Sequence, residues 1–492
     1  MKNIKNLTIL LVCSCFIINH FYNLSTYLIN FASWGDDFLF LSYFSDLPSL
    51  HGIAFLKRTS EFHNYVHRFP FARIVTAIYW FFNDQFNFKE LTIWANLFWV
   101  TLLYPFYQLF KRYSINYWHL IAMVGLLFAP NSNLDNFNLI GVLQHGTSVV
   151  FLVWCAYWIS NPKTQTWGIW IALLYPMFST EGLAFIPLIL ALLIYQRDKR
   201  LWLFAFLSAL VIFLYFLGYD KPDSDGSGTS LMTKLVFTIQ GVIIFVGGFI
   251  KKNILQSTFI GLIFMANTAY ICWRYHQTKN PMLLFSVLIL LQIMLTGAMI
   301  TLGRGNAISG DYMVLFSERF YSYGTIFLVI TYVAALSPEL YPARIPLLVS
   351  LIPAMGWVVA SACLAIPRLD NFSIRLKAEA SNAYYFDLNT QYPLYERDVY
   401  LLKKSGKYTF PASILPISGI RNFSKDIKIT QIPSYDKDLV EFTVNKEGVL
   451  LVYQAEKPSY FLPINSLSHS FKFNKDVHYD QRTSQYVVYP NE

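Results

Sequence analysis

The chain has 492 residues, of which 55% are hydrophobic and only 14% are charged. An ordinary soluble domain carries about 25% charged residues, so this composition excludes a soluble globular protein and indicates an integral membrane protein. The net charge of +9 does not indicate a nucleic-acid partner, because most basic residues lie beside apolar runs, where cytoplasmic loops concentrate them.

The charged residues are distributed unevenly along the chain. Residues 1–367 contain 22 Lys/Arg and 15 Asp/Glu, whereas the much shorter segment 368–492 contains 16 and 14. All five cysteines lie in apolar runs, so the polar segment has neither a disulfide framework nor a zinc cluster. This shift predicts a transmembrane domain over residues 1–367 and a water-facing domain over residues 368–492.

The apolar runs predict an all-α polytopic membrane domain of about eleven spans, since a spanning helix needs about 20 apolar residues. The first run continues to about Phe31 without a small-residue cleavage site, which predicts an uncleaved first span. The two runs that flank Glu181 are short and predict a tight hairpin. The predicted spans are residues 8–28, 91–110, 115–130, 139–160, 166–178, 182–195, 201–218, 254–273, 281–301, 319–336 and 344–366.

Basic clusters set the predicted orientation. The clusters at 111–112, 197–200 and 274–279 all become cytoplasmic together only if two further apolar stretches, 70–83 and 231–250, do not cross the membrane. Both stretches are therefore predicted to be helices along the outer face. The N-terminus is then cytoplasmic, and the C-terminal domain is periplasmic or extracellular.

The C-terminal domain is predicted to be small and α+β or β-rich. A helix is predicted through about Tyr385. From about Ile427 apolar and polar residues alternate, with Pro and Gly between the runs, which is typical of short antiparallel strands.

The first candidate site is the pair Asp36 and Asp37, within Trp34-Gly35-Asp36-Asp37-Phe38 directly after the first span. Adjacent carboxylates in an aromatic setting at a membrane surface are costly to desolvate and are candidates for proton or cation handling. The alternative interpretation is a solvated acidic loop.

The second candidate site combines Arg304, in Leu-Gly-Arg-Gly, with Arg319, in Ser-Glu-Arg-Phe-Tyr. Guanidinium groups bind phosphate oxygens in a bidentate manner, so two of them can converge on one anionic group. The alternative is that each arginine extends to the lipid headgroups. Glu318 can simply balance the neighbouring arginines.

Four other polar residues are weaker candidates. Glu181 can act as a second acid or a metal ligand, or can cap a helix. His145 can contact a sugar or pack between helices, and Asp135 can bind carbohydrate or form a turn. Arg68 opens the outer-face helix at Arg68-Phe-Pro.

Metal use is left open by the sequence. His63 and His67 have the i, i+4 spacing that can hold a divalent cation on one helical face. Two histidines at a membrane interface need no ligand, however, so no cofactor is assigned.

These features together resemble the GT-C superfamily of membrane glycosyltransferases over most of residues 1–367. The resemblance lies in the Asp-Asp loop after the first span, the Arg68-Phe-Pro helix, and Leu-Gly-Arg followed by Ser-x-Arg-aromatic at 302–321. It implies transfer of a sugar from a polyprenyl-phosphate donor to a cell-envelope glycan, lipid or protein at the outer face of a bacterial inner membrane.

The same resemblance implies roles for the candidate residues. Asp36 or Asp37, with slight preference for Asp37, would accept the acceptor's proton as the glycosidic bond forms. Arg304 and Arg319 would stabilise the departing lipid phosphate. The C-terminal segment matches no family that would assign the acceptor.

Three other functions remain open. A polysaccharide polymerase of the O-antigen type also uses many spans and outer-face arginines, but it needs no Asp-Asp pair. A transporter or flippase for lipid-linked glycans would place ionisable residues deeper in the membrane and often has two related halves. A scaffolding protein would use the C-terminal domain as a binding module.

Overall fold

The structure is a computed structural model of the whole chain. It describes residues 2–32, 37, 40, 43, 46–62, 68, 70–219, 230–248, 253–303, 312–317, 320–337, 339–340, 347–386, 404, 406, 408–412, 414–415, 428–431, 439–443, 448–454, 457–464, 468–472 and 484–490.

The described chain is predominantly helical, and its long helices follow the apolar runs. Many helices end at polar or basic residues, for example at Arg197 and Lys279, which adopt left-handed backbone conformations that close the preceding helices. The helices are α1 Lys2–Tyr27, α2 Gly52–Ser60, α3 Pro70–Asn83, α4 Phe88–Val100, α5 Leu103–Arg112, α6 Trp118–Leu127, α7 Thr147–Ser160, α8 Gln165–Ile171, α9 Phe185–Gln196, α10 Leu201–Phe216, α11 Leu231–Gly248, α12 Ile254–Thr278, α13 Pro281–Gly303, α14 Tyr321–Ala335 and α15 Leu347–Phe386.

Several short elements join these helices. The segment Gly141–Gly146 is a π-helix, which continues directly into α7. The other short elements are 3-10 helices at Leu47–Ser49, Pro130–Phe137, Ala172–Met177, Thr180–Ala184 and Met313–Phe316.

Six helices of the described chain are long and apolar enough to cross a membrane. These six establish an integral membrane protein of mainly helical structure, as the composition predicts. They are Asn6–Tyr27, Gly141–Ser160, Leu231–Gly248, Ile254–Thr278, Pro281–Gly303 and Ile352–Tyr385. Four apolar helices of 10–17 residues are shorter: Trp118–Leu127, Thr180–Gln196, Leu201–Phe216 and Tyr321–Ala335.

The predicted count of eleven spans is therefore not supported by the described residues. The predicted span 91–110 is interrupted between Val100 and Leu103, so neither α4 nor α5 is long enough to cross alone. Conversely, α11 was predicted to lie along the outer face, yet its length and composition suit a crossing. The predicted outer-face helix at 70–83 is present as α3, with 14 residues.

Two compact units divide the chain. Unit 1 comprises Met1–Tyr22, Gly52–Thr76 and Thr92–Cys363, and unit 2 comprises Asn23–His51, Ala77–Leu91 and Leu364–Glu492. Unit 2 thus groups two early segments with the polar C-terminal part, while the boundary predicted at residue 367 stays a prediction.

The core of unit 1 is a continuous apolar cluster contributed by most of its helices. Trp99 is fully buried in it, and its indole nitrogen donates to the Leu127 carbonyl at 3.0 Å. This bond satisfies the one polar atom of a side chain that is otherwise apolar.

Glycines allow α11 and α12 to touch backbone to backbone. A Cβ atom at Gly261 would collide with the Ile243 carbonyl oxygen, and one at Gly247 would collide with the Ser257 carbonyl oxygen. In membranes, small residues of this kind let helices approach closely. Gly247 of α11 and Gly261 of α12 are therefore part of the packing surface between these two helices.

We expect Gly261→Leu to destabilise the protein by about 1–3 kcal/mol or more, because the leucine must separate two helix backbones. Gly356→Leu is the matched control, since nothing lies within 4 Å of a Cβ at Gly356. Thermal unfolding of the purified protein in one detergent measures both. Equal melting temperatures for the two variants would contradict the close crossing.

Unit 2 contains six strands among its described residues. They form two antiparallel three-stranded sheets, with strand orders β1-β2-β5 and β4-β3-β6. The strands begin at Lys428, close to the predicted start of the alternation at about Ile427. Their bounds are β1 Lys428–Gln431, β2 Leu439–Thr443, β3 Gly448–Gln454, β4 Lys457–Ile464, β5 Ser468–Lys472 and β6 Ser484–Pro490.

Helix α15 pairs with the edge of β4 through a side-chain amide. The Asn382 Nδ2 atom donates to the Phe461 carbonyl at 2.8 Å, and the Phe461 amide donates to Asn382 Oδ1 at 2.6 Å. The Phe461 amide and carbonyl on the edge of β4 therefore bond to Asn382, and they are not available to a further strand. Covering the edge of a sheet in this way protects it from pairing with another chain.

Candidate functional site

The structure describes some of the predicted site residues and not others. Asp36, Arg304, Glu318 and Arg319 lie outside the described residues, as do His63 and His67. Asp135 lies in the 3-10 helix Pro130–Phe137, but its side chain is outside the description. Asp37 belongs to unit 2, whereas Arg68, His145 and Glu181 belong to unit 1.

Asp37 is fully buried in unit 2. Asp37, Phe40 and Tyr43 are helical and recur every three residues, so they lie on one buried face. The Phe40 and Tyr43 rings meet edge to face at 6.3 Å. The aromatic setting predicted for the acidic loop is thus represented by Phe40 and Tyr43, on the same buried face as Asp37.

Unit 1 brings together His145 and Glu181. The distance from His145 Nδ1 to Glu181 Oε1 is 3.7 Å, and both side chains are at most 10% exposed. The Tyr323 hydroxyl lies 3.4 Å from the same His145 nitrogen. Gln292 donates from Nε2 to the Glu181 backbone carbonyl at 2.8 Å. We call His145, Glu181, Gln292 and Tyr323, together with Asn136 and Ser179, the buried polar cluster.

Local backbone structure explains why Glu181 and His145 are placed in this way. Glu181 lies in the 3-10 helix Thr180–Ala184, between the two short helical arms of the predicted hairpin. A Cβ at Gly182 would collide with the Tyr175 backbone, so only glycine lets the hairpin close this tightly. His145 lies in a π-helix, an irregularity that often occurs at functional sites.

Several buried polar atoms of the cluster have no hydrogen-bond partner among the described residues. They are Asn136 Nδ2 and Oδ1, Ser179 Oγ and Gln292 Oε1. Asn136 Oδ1 would lie 3.2 Å from a Cβ on Gly146, so this amide faces the π-helix that carries His145. Buried polar groups are nearly always satisfied, so these atoms are suited to a hydroxylated ligand or to water.

Arg68 is linked through Tyr215 to Thr180, which lies between the cluster residues Ser179 and Glu181 in the chain. The Arg68 backbone amide donates to the Tyr215 hydroxyl at 3.0 Å, and this hydroxyl lies 2.7 Å from Thr180 Oγ1. The guanidinium donates to the Leu217 carbonyl and lies 4.0 Å above the Phe62 ring. Burial lowers the pKa of Arg68, and Tyr215 partly offsets this effect. Arg68 precedes its helix, which begins at Pro70, rather than opening it.

An open aromatic groove of about 340 Å³ lies in unit 1, and two of its lining residues are close in sequence to members of the buried polar cluster. Phe178 stacks on Phe71 at 4.2 Å and on Phe151 at 4.1 Å, and Ser179 of the cluster follows directly after it. Thr147 lines the groove two residues after His145. The whole lining of the groove is Phe71, Phe98, Thr101, Thr147, Val150, Phe151, Trp154, Trp158 and Phe178.

Sequence reasoning missed Gln292, Tyr323 and Tyr215. Gln292 carried a usable signal, because it is an amide in the middle of the apolar helix α13 and intramembrane polar residues are often functional. The two tyrosines carried no such signal, since this chain has 33 tyrosines and many of them suit a membrane-interface belt.

The fold and this site define a helical integral membrane protein that has a buried polar cluster and an open aromatic groove in unit 1. Comparisons with protein-family models, with curated proteins and with solved structures found no match to the chain. Within the described ranges, no three His, Cys, Asp or Glu side chains are grouped so that they could hold a metal ion.

Proposed function

We propose that the protein is an integral membrane glycosyltransferase, which moves a sugar from a polyprenyl-phosphate donor to a glycan, lipid or protein acceptor of the cell envelope. The observation that carries the proposal is that an open aromatic groove and a buried polar cluster occur in the same unit, with Phe178 of the groove directly before Ser179 of the cluster in the chain. An apolar groove and polar groups in one unit suit an amphiphilic substrate whose chain is apolar and whose head is hydroxylated. A lipid-linked sugar has this chemistry.

Action at the outer face of a bacterial inner membrane comes from the GT-C resemblance. The cytoplasmic N-terminus and the extracytoplasmic position of the β-rich C-terminal domain come from the distribution of the basic clusters. Whether a divalent cation assists is left open in the proposal.

The proposed reaction is a displacement at the anomeric carbon. The acceptor oxygen bonds to that carbon as the bond to the lipid phosphate breaks, and the bonding electron pair leaves with the phosphate. Asp37, or its neighbour Asp36, takes the hydroxyl proton. Arg304 and Arg319 stabilise the negative charge that grows on the departing phosphate.

The buried polar cluster is assigned to the sugar in this proposal. Glu181 accepts hydrogen bonds from sugar hydroxyls, and the Asn136 and Gln292 amides supply both donors and acceptors. Hydrogen bonds to a charged group contribute about 1.5–3 kcal/mol each, so Glu181 is the member expected to matter most.

The direct test uses purified protein with a panel of radiolabelled polyprenyl-phosphate sugars. Transfer of label to an envelope acceptor, with release of polyprenyl phosphate, supports the proposal. Absence of both donor binding and transfer across the panel would refute it.

The groove makes a separate prediction about lipid chain length. We expect Phe151→Leu and Trp158→Leu each to raise KM about tenfold for a long-chain donor, which corresponds to about 1.4 kcal/mol. The KM for a geranyl-phosphate sugar, whose chain is short, should change much less. Phe206→Ala is the control, since Phe206 is 67% exposed and does not line the groove. Equal increases in KM for both donors would show that the groove does not bind the lipid chain of the donor.

A transporter or flippase for lipid-linked glycans is the second candidate, and the His145–Glu181 pair favours it, because buried ionisable pairs in membrane domains often couple transport. Proteoliposomes loaded with labelled lipid-linked glycan separate the two functions. Unchanged substrate on the opposite face indicates transport, whereas a transferred sugar indicates the enzyme.

An O-antigen-type polymerase is distinguished by activity that survives Asp36→Asn and Asp37→Asn.

A further inference from the structure

Asn30 joins three segments of unit 2 by hydrogen bonds. Its Nδ2 atom donates to the Thr409 carbonyl at 2.7 Å, and its Oδ1 atom accepts from the Phe88 amide at 2.8 Å. The Asn30 backbone carbonyl accepts a hydrogen bond from the Tyr408 hydroxyl. The side chain must therefore both donate and accept, which an amide can do and a carboxylate cannot.

Aromatic packing surrounds this junction. Phe86 and Tyr408 form an isolated parallel bridge, and the Tyr408 ring lies edge to face with Phe88 at 6.0 Å. Phe31 stacks on Phe410 at 6.4 Å. Phe86, Phe88 and Tyr408 are buried. The segment 408–410 of the C-terminal part is thus packed against the chain directly after the first predicted span.

Burial also keeps the tyrosine hydroxyl in its donor form. It raises the pKa of Tyr408 well above its ordinary value. The Tyr408 hydroxyl therefore stays protonated and can donate to the Asn30 carbonyl.

The junction lies immediately before the acidic loop. Asn30 and Phe31 precede Asp36 and Asp37 by only a few residues, and Asp37 is itself buried in unit 2. A segment that carries a general base must hold it close to its productive geometry, because a displacement of about 1 Å can cost about 100-fold in rate. An anchor shortly before Asp37 in the chain restricts where this carboxylate can lie.

We propose that segment 408–410 holds the chain that leads to Asp37, and that Tyr408 and Asn30 are positioning residues for Asp37. This inference rests on the proposed function and assigns the C-terminal part a role in catalysis rather than only in acceptor binding. It requires no contact between Tyr408 and substrate.

The test uses the full-length protein in detergent, with the variants Tyr408→Phe and Asn30→Asp. Tyr408→Phe removes one hydroxyl, and Asn30→Asp removes the donor to Thr409 while keeping the acceptor. Tyr22→Phe is the control, because Tyr22 is 64% exposed. Hydrogen–deuterium exchange is followed in peptides that cover residues 28–46, with α13 as the internal reference.

Both junction variants are expected to raise exchange in residues 28–46 by about tenfold, which corresponds to about 1.4 kcal/mol, and to leave α13 unchanged. The kcat for sugar transfer should fall about tenfold per folded molecule, whereas the donor KM stays within about twofold. A purely structural role would lower the yield of folded protein and leave kcat unchanged.

Two results would overturn the inference: unchanged exchange in residues 28–46, or increased exchange with unchanged kcat. If the wild-type protein transfers no sugar at all, the proposed function fails. The positioning role then fails with it, while the exchange data still show whether Tyr408 anchors the loop.

Discussion

Asp37→Asn is expected to reduce kcat for sugar transfer by about 10²- to 10⁴-fold, the usual contribution of a general base. Asparagine has nearly the size of aspartate but cannot take the acceptor's proton. The measurement is transfer of labelled sugar, with folding followed by thermal unfolding, because Asp37 is fully buried.

Two further variants serve as the comparison and the control for this test. Asp36→Asn, measured in parallel, shows which of the two adjacent carboxylates is the base. Asp46→Asn is the control, because Asp46 is a half-buried aspartate of the same unit whose replacement should leave transfer nearly unchanged. Full activity in both Asp36→Asn and Asp37→Asn, with transfer demonstrated in the wild type, would remove the catalytic assignment and favour the polymerase.

We expect Glu181→Gln to lower kcat/KM by about 10- to 100-fold, since the loss of a hydrogen bond to a charged group costs about 1.5–3 kcal/mol. Glutamine keeps the size of the side chain, so the hairpin should still close at Gly182. Donor binding is expected to weaken in the same proportion, and a competition assay with a labelled polyprenyl-phosphate sugar measures it. Glu90→Gln is the control, because Glu90 is exposed in unit 2.

A double-mutant cycle tests whether Glu181 and His145 act together. Glu181→Gln and His145→Gln should be non-additive by about 0.5–3 kcal/mol, because the two side chains are in contact. Additive effects on donor binding would mean that the pair does not act together on the sugar. If the two variants still transfer sugar but no longer move glycan across proteoliposome membranes, the His145–Glu181 pair acts in transport and not on the sugar.

Many helices were predictable because their signal is local. The predicted spans 254–273 and 281–301 correspond to α12, Ile254–Thr278, and α13, Pro281–Gly303. Each is a long apolar run, and Lys279 and Pro281 mark the break between them. Helix formation in an apolar run depends on neighbouring residues, which a sequence window contains.

Two errors in the predicted spans have a tertiary cause. The distribution of basic clusters placed α11 along the outer face, yet its length and composition suit a crossing, and Gly247 packs against the backbone of α12. The predicted span 91–110 appeared continuous, yet its backbone turns at Thr101 and Leu102. Hydropathy reports the apolarity of both stretches and says nothing about either packing or turns.

The candidate site was predictable only as separate residues. Glu181, His145 and Arg68 were each singled out, but no spacing rule brings residues of different helices together. The 3.7 Å distance between His145 and Glu181, and the bridge from Arg68 through Tyr215 to Thr180, appear only in the folded chain.

The sequence by itself determined that this is a helical membrane protein with a polar C-terminal part, because apolarity and charge are properties of consecutive residues. Only the tertiary structure decided that His145 and Glu181 meet, and that segment 408–410 packs against Asn30. Which faces of the helices meet depends on packing between distant segments, and a single sequence does not encode that packing in any local pattern.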